Sequence, residues 1–204
     1  MKARTLLFII GCFFSTSLVA EGQVTPSDLQ TEIEAGRIKF ISANGNGYSS
    51  GNAVDGYIEN ATSASKRVRV NLLRPLFLKN GGSGQNMVAV QMYNADMSYY
   101  GDGQNSYIEL GPKQRAKISY VAYCVDFDKD NPDYLERFTI GDIPPDLEAV
   151  VARICQYSAR NPNTDILSAA QAAIWLAQGK SIAEIREKYD VSPYEESIAR
   201  GFLR

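Results

Sequence analysis

From residue 37 to residue 127 the chain repeats short runs in which apolar and polar residues alternate, separated by turns rich in Gly, Asn and Ser. A period of two places successive side chains on opposite sides of an extended backbone, so each run presents one apolar face to a core. The runs are 37–43, 53–60, 66–73, 86–93, 107–110 and 116–127. In 66–73, Val68, Val70 and Leu72 are expected to face inward and Arg67, Arg69 and Asn71 outward. In 86–93, Val88, Val90 and Met92 form the inward set. The run 116–127 is apolar on both faces: Ile118, Tyr120, Ala122 and Cys124 on one, Val121, Tyr123 and Val125 on the other. It is therefore expected at the centre of its sheet. Many short strands joined by tight turns predict an antiparallel β-sandwich, immunoglobulin-like or related.

Beyond Pro132 the period lengthens. Leu147, Val150, Val151 and Ile154 follow the i, i+3, i+4, i+7 rule after Pro144-Pro145, predicting a helix to about residue 159. Residues 165–178 form a second helix, apolar nearly all round, and 181–189 and 192–203 two short amphipathic ones. A further short helix, 29–35, precedes the strands. The fold class expected is α+β, with the sandwich over 21–132 and a helical subdomain over 133–204 packed on it.

The N-terminus has the grammar of a secretory signal peptide. A cationic Met1-Lys2-Ala3-Arg4 precedes an apolar stretch, 5–14, and Leu18-Val19-Ala20 ends on a small residue. Residues 1–20 are expected to be removed after Ala20. A membrane anchor needs a longer run of about 20 apolar residues, and Ile9-Ile10-Gly11-Cys12 imitates a lipobox only loosely. The expected location is secreted or periplasmic, in association with the cell surface as one variant. No later segment is long enough to span a membrane.

Composition bounds the chemistry. Of 204 residues none is histidine, which excludes Ser-His-Asp and Cys-His nucleophile systems and imidazole acid–base work. The formal net charge is −2, and loss of Lys2 and Arg4 with the leader makes the mature chain more acidic. An acidic exported chain does not suit nucleic acid, although the last two helices have helix-turn-helix spacing.

Four constellations remain. Removal of the leader removes Cys12 and leaves Cys124 and Cys155, which in an oxidising compartment are most simply a disulfide. Asp126-x-Asp128-x-Asp130 has calcium-ligand spacing, but Asn131 and Arg137 stand where an EF-hand requires Gly and Glu. The same carboxylates would serve a secreted hydrolase, although a two-carboxylate hydrolase opposes its acids across a cleft. Tyr99, Tyr100 and Tyr107, interleaved with Asp102, Gln104 and Asn105, suit contacts to a glycan or a protein. Finally, Gln171 lies in the most apolar helix, where a buried amide must find hydrogen-bond partners. A strand backbone is one such partner.

Tyr123-Cys124-Val125-Asp126 on a strand, followed by Gln171-Ala172-Ala173-Ile174-Trp175 on a helix, resembles the bacterial surface thioester domains. In that family the cysteine of a Tyr-Cys-apolar motif and the glutamine of a Gln-x-Ala-Ile-Trp motif join as an internal thioester that captures nucleophiles on host surfaces. The resemblance implies Cys124 as acyl carrier and Gln171 as acyl donor. It departs at Ala170, where the family pattern has Thr. A disulfide, a thioester and a free thiol are thus the three fates open to Cys124. The function expected is a non-enzymatic binding or adhesion module with a surface protein or glycan as ligand. A covalent Cys124–Gln171 adhesin is the alternative, and the hydrolase a second.

Overall fold

The computed structural model describes residues 25–95, 107–161 and 164–204; the expected leader lies outside them. Eight strands form: β1 (Ile38–Gly45), β2 (Ser50–Asn60), β3 (Lys66–Arg69), β4 (Asn71–Asn80), β5 (Met87–Asn94), β6 (Tyr107–Leu110), β7 (Arg115–Cys124) and β8 (Arg137–Gly141). Six of them close into one antiparallel barrel in the order β1-β2-β7-β5-β4-β8, and β3 and β6 pair separately. The expected sandwich is thereby corrected to a closed barrel. Alternation reports which side of a strand is buried but not whether the sheet has a free edge.

Two features close it. β8 pairs with β1 through Ala43↔Phe138 and with β4 through Phe77↔Gly141 to Asn80↔Phe138. This five-residue strand lies past Pro132, in the stretch expected to be purely helical. Register shifts between Phe40 and Ser42, Asn52 and Val54, Asn71 and Leu76, and Ala89 and Gln91 bend the strands, as closure of a small barrel requires.

These irregularities also revise the faces. The run 66–73 is two strands that meet at Val70 and belong to different sheets. Val68 and Leu72 are buried, whereas Val70 is only partly so. In β5, Met87 pairs with Cys124, Ala89 with Ala122 and Met92 with Tyr120, while Val88 pairs with Tyr123. The bulge at Val90 therefore puts Met92 on the face of Met87 and Ala89, not on that of Val88. β7 lies between β2 and β5, and Tyr120 to Cys124 are all buried; because the barrel is closed, every one of its strands has two neighbours and the expected centre of a sheet does not exist.

Five helices accompany the barrel: α1 (Leu29–Glu34), α2 (Pro145–Arg160), α3 (Leu167–Ala177), α4 (Ile182–Lys188) and α5 (Pro193–Phe202). Asp28 caps α1, and Ser181/Glu184 and Ser192/Glu195 form capping boxes on α4 and α5, which satisfy amide groups that a helix start leaves open. α2 buries Leu147, Val150, Val151, Ile154 and Cys155, and α3 is buried on nearly every side, from Ala169 to Trp175. Barrel and helices share one continuous apolar core.

Candidate functional site

The last residue of β7 meets the middle of α3. Cys124 N–H donates to Gln171 Oε1 at 2.9 Å, and Gln171 Nε2 donates to the Cys124 carbonyl at 2.8 Å. Both residues are fully buried. The Cys124 N–H also lies 3.0 Å from the carbonyl of Ser49, just before β2 begins. The Gln171 amide thus continues the β2 side of the ladder where β2 itself stops. A buried amide costs free energy unless both of its ends are bonded, and here both are.

The Cys124 sulfur lies 3.3 Å from Met87 Sδ and 3.9 Å from Asn131 Oδ1. Asn131 Nδ2 in turn donates to the Gly47 carbonyl at 3.2 Å, and the Gly47 amide donates to that of Pro132. The β1–β2 and β7–β8 connections therefore meet beside the thiol. Gly45 is required by this approach, because a Cβ there would overlap the Pro132 carbonyl. Burial, with the nearby Asp126 charge second, pushes the Cys124 thiol well above its ordinary range, so it is held protonated.

Trp175, one helical turn after Gln171, packs edge-on to Phe127 at 5.1 Å and to Tyr189 at 5.7 Å between ring centroids. The Tyr189 hydroxyl is 2.6 Å from Ser50 Oγ. Lys180 and Lys188 place their ammonium groups 4.7 and 4.4 Å from the Phe127 ring centre. This aromatic row fixes α3 and α4 against the end of β7.

Cys124 and Cys155 are both free, buried thiols in the structure, not the expected disulfide. Strand parity separates them. Tyr123 lies on the face of β7 opposite to Cys124, and burial, with smaller contributions from Tyr189 and Cys155, pushes its phenol well above the ordinary range. Burial, with a smaller contribution from the Asp28 charge, raises the Cys155 thiol to about 12.

The expected calcium ligands do not converge. Asp126 Oδ2 accepts from the Asn86 backbone and side-chain amides at 2.7 and 2.8 Å and pairs with Lys129. Asp128 turns to Lys180 at 3.0 Å and Lys188 at 3.8 Å. The Asp130 carbonyl accepts from the Gln85 amide. Among the described residues no three metal-ligating side chains come together. Of the tyrosines, Tyr99 and Tyr100 lie outside the described residues. Tyr107 is on β6, half-buried beneath the Arg67 guanidinium at 4.8 Å. It is a packed strand residue rather than a loop contact.

Met87, Ser49 and Asn131 complete the surroundings of Cys124 and were not singled out from sequence as a group. Asn131 was visible only as the residue that breaks the EF-hand pattern. Comparison with protein-family models, with curated proteins and with solved structures gives no match. No helix among the described residues is long and apolar enough to cross a membrane.

Proposed function

We propose that the chain is an exported binding module of the covalent kind, with Cys124 and Gln171 as its internal thioester. One observation supports this reading: residues 47 positions apart, marked as a pair by their motifs, are adjacent, the Gln171 amide bonding the Cys124 backbone N–H and carbonyl. In forming the bond, the Cys124 sulfur attacks Gln171 Cδ. The Sγ–Cδ bond forms, the Cδ–Nε2 bond breaks, and the thiol proton leaves with that nitrogen as ammonia. The Cys124 N–H, 2.9 Å from Oε1, is placed to stabilise the negative charge that develops on that oxygen. An incoming amine on a partner then attacks Cδ: the Cδ–N bond forms, the Cδ–Sγ bond breaks, the amine's proton passes to the departing sulfur, and the partner remains bound as an amide while Cys124 is again a thiol. No oxidant and no imidazole are needed, since the acyl group is already activated.

A second reading is favoured by the full satisfaction of the amide and the burial of the sulfur: Gln171 as a structural amide in a non-covalent binding module. Intact mass of the mature protein separates the two. The thioester gives a mass lower by one ammonia, restored in Gln171→Ala and unaffected by Cys155→Ser. An unreduced mass equal to that of the mature sequence would establish the structural amide. A loss of two hydrogens would establish the disulfide.

A further inference from the structure

We infer that the cleft between the outer face of the barrel and the α2–α3 connection is a binding site for one ring of a neutral carbohydrate. The cleft has a volume of about 260 Å³, and its floor is made by Val121, Tyr123 and Gly51. That size lies just below the usual ligand-site range, which begins at about 300 Å³, and leaves room for no more than a single sugar ring. Val121 and Tyr123 are buried residues of β7, so the floor is part of the rigid sheet.

Among the described residues the walls are mostly polar and include no Lys or Arg. Gln91 comes from β5, and Asn161 and Asp165 come from the α2–α3 connection. Each has one polar atom tied to the protein. Gln91 Nε2 donates to Asn71 Oδ1 at 2.6 Å, Asn161 Nδ2 to the Tyr157 carbonyl at 2.9 Å, and Asp165 Oδ1 accepts from the Leu167 amide at 3.0 Å. The side chains are thereby fixed in place. The second polar atom of each is an oxygen that accepts hydrogen bonds.

Three fixed acceptors complement a ligand rich in hydroxyl donors. An anion is disfavoured, because no Lys or Arg lines the cleft and Asp165 repels negative charge. A divalent ion would find a single carboxylate. The ring of Tyr93, also in the lining and partly exposed, offers an aromatic face for the C–H side of a sugar. Planar amides, one carboxylate and a tyrosine ring around a polar hollow are the chemistry of polyol recognition. The inference takes from the proposed function only that the chain is a binding module, and it does not depend on the thioester.

The test uses the full mature chain on an array of neutral oligosaccharides, with calorimetric titration of those retained. Expected is saturable binding that weakens about tenfold or more in Asn161→Ala and in Tyr93→Ala, with both variants melting as the parent does. Gln91→Ala serves as a third variant should either fail to fold. Arg115→Ala, on β7 but absent from the lining, should bind as the parent does. Retention of no neutral glycan overturns the inference, as does binding that all three cleft variants preserve. Saturable binding of soluble tetramethylammonium ion that the cleft variants abolish would assign the cleft to a cation and overturn it as well. The intact mass of the same preparation reports the thioester separately, so either reading can fail alone.

Discussion

Phe138 lies opposite Ala43 on β1 and opposite Asn80 on β4. At this buried residue, 2% exposed, the five-residue strand β8 is paired with both of its neighbours. Phe138→Ala removes a large side chain at the closure and is expected to cost about 3–5 kcal/mol. Thr139→Ala, at an exposed neighbouring position, is expected to cost roughly 0.5 kcal/mol or less. Equal denaturation midpoints for the two variants would contradict the closure.

Gln171→Ala strips the Cys124 backbone of two partners. A buried carbonyl and a partly satisfied amide are left in an apolar surround, at an expected cost of about 1–3 kcal/mol. This loss belongs to the structural-amide reading; in the thioester the Nε2 donor has already left as ammonia. Chemical denaturation of Gln171→Ala beside the parent measures it, and an unchanged midpoint would mean that water replaces the amide at no cost.

Position 90 contrasts with positions 69 and 70. Val90 is 1% exposed, Val70 is partly buried where two strands meet, and Arg69 is half-exposed on β3. Val90→Asp buries a charge with no partner and is expected to cost several kcal/mol. Val70→Asp should cost less, and Arg69→Asp roughly 0.5 kcal/mol. Thermal melts of the three variants should fall in that order.

Glu32, on α1, is a buried carboxylate. Its hydrogen bonds from Arg37 at 2.8 and 2.9 Å, and its pairing with Lys66 at 3.1 Å, hold it at about 2 against an ordinary 4.5. Because the folded value is the lower one, the stabilisation is fully present above about 4.5 and is lost as pH falls toward 2. Glu32→Gln should flatten the fall in stability over that interval and lower stability at neutral pH. A parent and a Gln variant with the same pH profile would show that the ion pairs contribute nothing.

Cys155, 1% exposed with its thiol raised to about 12, should resist alkylation in the native protein and react on unfolding without any reductant. Failure to react until reductant is added would show that it is held in a disulfide.

The strands before residue 127 were legible because burial on one side of an extended chain forces a period of two. The helix over α2 was legible for the same kind of reason, as was the need of Gln171 for partners. Closure was not. It depends on bulges, which leave only a local lapse of alternation, and on β8, whose Arg-Phe-Thr-Ile-Gly is too short to show a period. Whether the Asp126 run gathers around a cation depended on Asn86, Lys129, Lys180 and Lys188, partners brought from other elements. Register puts the Cys124 sulfur beside Met87, and both cysteines stand as free buried thiols. Local sequence determines which residues leave water. Which of them then meet is decided by register and closure, because those depend on pairings between segments far apart in the chain.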